Sequence, residues 1–151
     1  MNGRPGEIRA TIPAQQKVVP FLLDQRQFAI PALRIRDLLA PQPITRVGPG
    51  PEIAGLVNVR GRIVTAIDVR VRLGLRPIAD ANVAYGIVVD HAGKQYSLLV
   101  DRIANAIALP VSSREQNAPV LERTLRDMTA SVHSVGGCML VVLDLDRLLE
   151  S

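Results

Sequence analysis

From Val18 onward, short apolar runs recur between Gly, Pro, Asn and Asp, and Val, Ile and Leu dominate them. Runs of roughly four to eight residues with this punctuation predict strands, with little room for helix. The stretch from Gly55 to Gly74 is the most regular. Val57 and Val59 alternate with polar positions, as in a half-buried strand. Arg60-Gly61 supplies a tight turn, because Gly accepts positive φ without steric cost. Ile63, Val64, Ala66 and Ile67 form a second apolar strand. Asp68 then occupies the N-cap position of a short helical turn that stops at Gly74.

The same reasoning extends along the chain. His91-Ala92-Gly93-Lys94 predicts a hairpin turn between strands at Ala84–Asp90 and Gln95–Asp101. Ala32 to Leu38 alternates apolar and charged residues, which predicts a half-buried strand with Leu33 and Ile35 inward. Ser112 to Arg126 fits loop or helix equally well. Asp144 to Glu150 predicts a closing helix, with Asp144 as cap and Leu145, Leu148 and Leu149 on the buried face. Residues 1 to 16 hold Gly3, Pro5, Gly6 and Pro13 with little periodicity, and read as a flexible tail.

A weak internal repeat organises these elements. Gln27-Phe28-Ala29-Ile30 recurs as Gln95-Tyr96-Ser97-Leu98. Val59-Arg60-Gly61 with Ile67-Asp68-Val69 recurs as Val135-Gly136-Gly137 with Leu143-Asp144-Leu145. Each half thus has an early hairpin and a late hairpin that ends in an Asp-led turn. Two similar small barrels packed together produce this pattern. The expectation is one domain over 17–150, built from two subdomains that divide near residue 80, where Asp80-Ala81-Asn82 makes a loop.

Composition narrows the function. The chain has 151 residues, 48% of them hydrophobic but only 3% aromatic, so the core must be aliphatic. The apolar runs are too short to span a bilayer, and no basic segment leads into an apolar stretch with a cleavage site. Cytoplasmic residence is the expectation. The one cysteine, Cys138, lies in an apolar run and reads as a small core residue. The formal charge is +4, carried almost wholly by arginine. An acidic partner or nucleic acid would use such charge. The basic residues are scattered, however, as in a GC-rich genome that writes Arg for any solvated cation. Nucleic-acid binders of this size stack bases on exposed aromatics. Here Phe21, Phe28, Tyr85 and Tyr96 sit at strand positions that read as buried, so no nucleic acid is expected.

No catalytic constellation emerges. His91 falls in a turn, where an exposed polar residue is ordinary, and His133 falls on a strand. Neither has a nucleophile at a telling spacing. No His, Cys or carboxylate spacing suggests a metal. Gly48-Pro49-Gly50-Pro51 lacks the strand-to-helix context of a phosphate loop, and its prolines remove amide donors. Asp90, Asp101, Asp144 and Asp146 read as strand ends and caps. No enzyme and no cofactor are expected.

The Gly55–Gly74 stretch resembles the core motif of the CheW family, the coupling proteins of bacterial chemotaxis arrays. Gly55, Asn58, Arg60, Gly61, Ile63, Asp68 and Arg70 match its pattern, while Thr65 stands for a usual Pro and Val69 for a common Leu. Val18–Leu39, Ile44–Val47 with Pro51, Tyr96–Ile103 and Cys138–Leu149 resemble other parts of the family. The resemblance implies a CheW-like fold: mainly β, with two SH3-like five-stranded barrels packed together, a hydrophobic groove between them and a short C-terminal helix. It further implies a non-catalytic scaffold joining the regulatory domain of a CheA-type histidine kinase to the cytoplasmic tip of a methyl-accepting chemoreceptor. Receptor contacts would fall on Ile35, Asp37, Leu38 and Arg60, and kinase contacts on Ile44, Arg46 and Val47. Arg60 has a second reading as a structural tie to Asp37 or another strand end. An adaptor of another pathway, such as twitching motility, fits the same residues, and a basic nucleic-acid-binding barrel is the remaining alternative.

Overall fold

The computed structural model describes residues 15–46, 53–116 and 121–150. Gly48-Pro49-Gly50-Pro51, Val47 and residues 1–14 lie outside them. The strands are β1 (Gln15–Leu23), β2 (Arg26–Pro31), β3 (Ile35–Leu39), β4 (Ile53–Val59), β5 (Arg62–Asp68), β6 (Tyr85–His91), β7 (Lys94–Val100), β8 (Arg102–Ile103), β9 (Ile107–Pro110), β10 (Thr129–Val135) and β11 (Cys138–Leu143). Among the described residues are three short α-helices: α1 (Val69–Arg72), α2 (Arg123–Asp127) and α3 (Leu145–Glu150).

Tight turns set the hairpins. Asp24-Gln25, Arg60-Gly61, Ala92-Gly93 and Gly136-Gly137 each place both central residues at positive φ. That is the backbone of a type I′ turn, whose twist matches the strands it joins. Each of the two sheets then combines two hairpins through one parallel pairing. In the first, β11 runs parallel to β2, giving the order β10-β11-β2-β1-β8, with β9 also on β1. In the second, β5 runs parallel to β7, giving β3-β6-β7-β5-β4. Phe28 opposes Val141 and Tyr96 opposes Thr65 at these junctions. The pairing follows the internal repeat, with β2 equivalent to β7 and β10–β11 equivalent to β4–β5.

Each sheet also closes on itself. The chain leaving β3 crosses to the free edge of β4, where Thr45 and Leu56 exchange backbone hydrogen bonds of 2.9 and 2.7 Å. The chain leaving β9 crosses to β10, where Arg114 pairs with His133 and Glu115 N donates to Val132 O at 2.8 Å. Both sheets are therefore barrels with one seam.

Alternating side chains on the same strand serve different cores. Val57, Val59, Val64, Ala66, Val88 and Leu99 fill the second barrel, and Val18, Ala29, Leu109, Leu140 and Val142 fill the first. Phe28, Ile30, Ile67, Ile87, Leu98, Val141 and their neighbours form the largest cluster, which draws on both barrels and fills the space between them. Central strands with two buried faces read as continuous apolar runs rather than clean alternations.

Several expectations change. The barrels do not divide near residue 80, because the second takes β3 to β7 and the first takes strands from both ends of the chain. The first sheet counts six strands, but β8 and β9 pair with successive stretches of β1 and share one lateral position, so its barrel keeps five positions. Gln15 and Gln16 belong to β1, opposite Pro110 and Leu109, rather than to a tail. Ala32–Arg34 is a 3-10 turn, so Leu33 points outward and is 91% exposed. Cys138, at the start of β11 beside the turn, is exposed. Within Ser112–Arg126 the described residues contain the end of a 3-10 turn, Val111–Ser113, and α2. No helix among the described residues is long and apolar enough to cross a membrane.

Candidate functional site

The β4–β5 hairpin and the seam beside it hold most of the motif residues, and each has a physical task. Gly55 has φ +153°, and a Cβ there would lie 2.3 Å from the Thr45 carbonyl oxygen. Only glycine lets the crossing chain approach β4 this closely. Asn58 Oδ1 accepts a hydrogen bond from Gly61 N at 2.8 Å and so braces the left-handed turn from inside. Its backbone oxygen accepts from Gln42 Nε2, a second tie across the seam.

Arg60 closes the end of that seam. Its Nε donates to Asp37 Oδ2 at 2.7 Å and its Nη2 to Asp37 Oδ1 at 3.3 Å. The planar fork of Arg suits this two-point geometry, which Lys cannot reproduce. The Arg60 hydrogen bond holds the Asp37 carboxyl below the usual carboxylate range, helped by the Leu38 amide and opposed by partial burial. The Arg60 side chain is 78% exposed and that of Asp37 only 19%. The remaining guanidinium donors therefore face outward, aimed by the carboxylate behind them. The tie to Asp37 is real, and it leaves the arginine presented to solvent.

Asp68 and Arg70 act at the other end of β5. Asp68 is buried and accepts from Arg70 N, Val71 N and Ile78 N at 3.0, 3.4 and 3.0 Å. Desolvation pushes its carboxyl up, against the pull of these amides. Arg70 grips Asp101 with Nε and Nη2, and the same carboxylate accepts from Asp24 N at 2.8 Å. One carboxylate thereby joins α1 of the second barrel to the β1–β2 turn of the first.

The sites expected from resemblance are brought together in part. A bulge between Ile35 and Asp37 lets Ile35 oppose Val89 and Leu38 oppose Ile87, both residues of the inter-barrel face. Ile35 is half-buried against that core, whereas Leu38 is 48% exposed. Asp37 turns the other way, toward Arg60. Ile44 packs half-buried on the second barrel's core, and its amide donates to Asn82 Oδ1 at 2.9 Å. Arg46 is exposed, and Val47 lies outside the described residues.

Other features had no clear signal in sequence. Arg34 bridges Asp146 Oδ1 at 2.9 Å and the Asp90 carbonyl, tying α3 to the second barrel. His91, expected to be exposed, is sandwiched against Asp146 and Glu150 of α3 at 3.2 and 3.5 Å. At the β5–β7 junction Arg62, Ile63, Thr65, Asp90, Lys94 and Gln95 line a polar concavity of mixed charge. Its counterpart at β11–β2 is more apolar, lined by Arg26, Phe28, Leu121, Cys138, Met139 and Val141. Phe21 and Phe28 are buried, and Tyr85 and Tyr96 are half-buried against the inter-barrel core, so none offers a stacking platform. Among the described residues, no group of three His, Cys, Asp or Glu could hold a metal ion.

Comparison with known proteins places this architecture. The CheW-like domain model matches residues 17–151. The chemotaxis protein CheW of Klebsiella aerogenes is 25% identical over 138 residues, covering 90% of this chain and 82% of its own length. That of Bacillus subtilis is 27% identical over 127 residues, covering 83% and 80%. The crystal structure of the scaffolding protein TtCheW from Thermoanaerobacter tengcongensis superposes with a TM-score of 0.77 at 23% identity, covering 94% of this chain and 92% of that one. A seam glycine, a turn-bracing asparagine, an outward arginine and a capping aspartate lie in a two-barrel fold that the family model spans almost completely, and the chain belongs to the CheW-like family of non-catalytic chemotaxis adaptors.

Proposed function

We propose that this protein couples chemoreceptors to a CheA-type histidine kinase in the cytoplasm. The receptor tip would lie along the groove at the edge of β3, and the kinase regulatory domain would dock at Ile44, Arg46 and Val47. The observation that carries the reading is the Asp37–Arg60 pair. It fixes an exposed guanidinium on Asp37, next in sequence to the exposed apolar Leu38 on the strand whose Ile35 packs against the inter-barrel cluster. A receptor helix laid there would set its apolar face on Leu38 and offer a carboxylate or backbone carbonyls to Arg60. Coupling then needs no moving part: a scaffold braced across its barrels by Arg70–Asp101 and Arg34–Asp146 holds two partners in fixed relative geometry.

Titration with a receptor-tip fragment tests the groove. Arg60→Ala and Leu38→Asp should each weaken binding by about tenfold or more, the scale of one lost hot-spot contact, while circular dichroism stays unchanged. Unchanged affinity in both folded variants would refute the site.

A further inference from the structure

His133 is a buried titratable group with no part in the proposed coupling. It lies on β10, 5% exposed, between two serines. Ser113 Oγ is 2.8 Å from Nδ1, and Ser131 Oγ is 2.9 Å from Nε2. The proton positions follow from the third bond. Ser113 Oγ donates to Pro110 O at 2.7 Å, so its one proton is committed. It must accept from Nδ1–H. A neutral ring therefore carries its proton on Nδ1 and accepts from the Ser131 hydroxyl at Nε2. This also removes Ser113 as an activated nucleophile, because no base is left to take its proton.

The location gives the ring a mechanical task. Ser113 ends the 3-10 turn that follows β9, and Arg114 and Glu115 then pair with His133 and Val132 to form the first barrel's seam. The equivalent seam of the second barrel, Thr45 with Leu56, has no titratable group among its hydrogen-bonding partners. Beyond the seam the chain reaches Leu121, a wall of the apolar concavity at the β11–β2 junction.

We propose that His133 is an acid-sensitive clasp that holds the Ser113–Glu115 segment against β10 at neutral pH and releases it when protonated. A doubly protonated ring reverses the Ser131 contact, with Nε2–H donating to Oγ, and places a cation in a buried seam against the Arg114 charge. The charged group acting on the ring is Arg114, from the segment it clasps. β11 presents the uncharged Leu140 opposite, with Met139 and Val141 beside it. The turn presents serines, and Glu115 is exposed beyond them. Burial first, and then the Arg114 charge, shift the ring below its ordinary value of 6.5. A histidine depressed in the folded state contributes stability that is complete above the unfolded value. That stability is lost as pH falls through the folded one. The clasp is closed at neutral pH and opens on the acid side.

Amide hydrogen exchange at Glu115 tests this, corrected for intrinsic pH dependence and followed from about pH 7.5 down to about pH 5. The native chain should lose protection at Glu115 by roughly twofold or more on acidification, while Thr45 and Leu56 stay constant. His133→Gln, which does not titrate, should show no such fall. A fall of equal size in the variant, or an equal fall at Thr45, would overturn the clasp. Ring-nitrogen NMR of the native chain gives a second reading that needs no variant. It should show the Nδ1–H tautomer at neutral pH, and ring protonation should track the loss at Glu115. A ring that protonates with Glu115 unaffected would overturn the proposal.

Discussion

Replacing Asp68 with asparagine separates two opposing effects at a buried motif residue. Asp68 uses both oxygens: Oδ1 accepts from Arg70 N and Val71 N, and Oδ2 accepts from Ile78 N. Asparagine has the same shape but one acceptor. If its oxygen keeps the helix cap, its amide group faces the Ile78 N–H, donor against donor. Leaving a largely buried N–H without a partner costs about 1–3 kcal/mol. Against this, asparagine carries no charge to desolvate, and desolvation is what raises the Asp68 carboxyl. A carboxyl raised in the folded state is a liability of the ionised form that disappears at low pH. The three amides are satisfied in the structure, so the lost acceptor should win at neutral pH. Asp68→Asn should destabilise by about 1–3 kcal/mol, or roughly 2–10 °C in Tm for a chain of this size. Asp68→Ala loses the cap as well, a further ~1 kcal/mol. Urea denaturation at neutral pH measures both. An Asp68→Asn variant as stable as the parent would show that relief of the buried charge outweighs the Ile78 bond, and the account of this cap would be wrong.

Three other outcomes are expected. Gly55→Ala puts a Cβ into the Thr45 carbonyl, so it should destabilise by about 2 kcal/mol or more and raise exchange at the Thr45 and Leu56 amides, seen by denaturation and hydrogen exchange. Asp37, Asp90 and Asp146 are held below the ordinary carboxylate range by hydrogen bonds from Arg60, Arg36 and Arg34 respectively. Their contributions should be present above the unfolded value of 3.8 and fade as pH falls through the lower folded values, which carboxyl NMR titration with and without salt will follow; those of the more exposed Asp90 and Asp146 should weaken most as salt rises, and that of the partly buried Asp37 least. Cys138 should react with a thiol reagent in the native state at a rate close to that of the urea-unfolded chain, because its side chain is exposed.

Much of the fold is legible in sequence because tight turns and apolar runs are local signals. Arg60-Gly61 and Gly136-Gly137 mark hairpins by their residue types, and Asp68 and Asp144 mark the helical turns that follow. The assignment of strands to barrels is not local. Repeat order suggests a boundary near residue 80, yet β2 pairs with β11 across more than a hundred residues, and nothing in either strand names its partner. Leu33 reads as inward because alternation continues through Ala32–Arg34, whereas the backbone, just past Pro31, turns instead of extending. Cys138 reads as a core residue because it begins an apolar run, but that run becomes buried only at Leu140.

At the site, the Asp37–Arg60 tie was readable only as one of two roles, and the structure gives Arg60 both a buried-side partner and an exposed face. That Ile35 and Leu38 share the inter-barrel side depends on a bulge at Arg36, for which the residue types give no cue. His133 reads as an ordinary strand position because Ser113, the partner that fixes its tautomer, lies within Ser112–Arg126, a segment whose residue types fit loop or helix alike.

The most direct test of the central claim is a sequential calorimetric titration. The chain is first saturated with the regulatory domain of a CheA-type kinase, and a receptor-tip fragment is then added. An adaptor that holds both partners predicts a second saturable one-to-one binding event of undiminished affinity. Absence of that event, or displacement of the kinase domain by the receptor fragment, would contradict it.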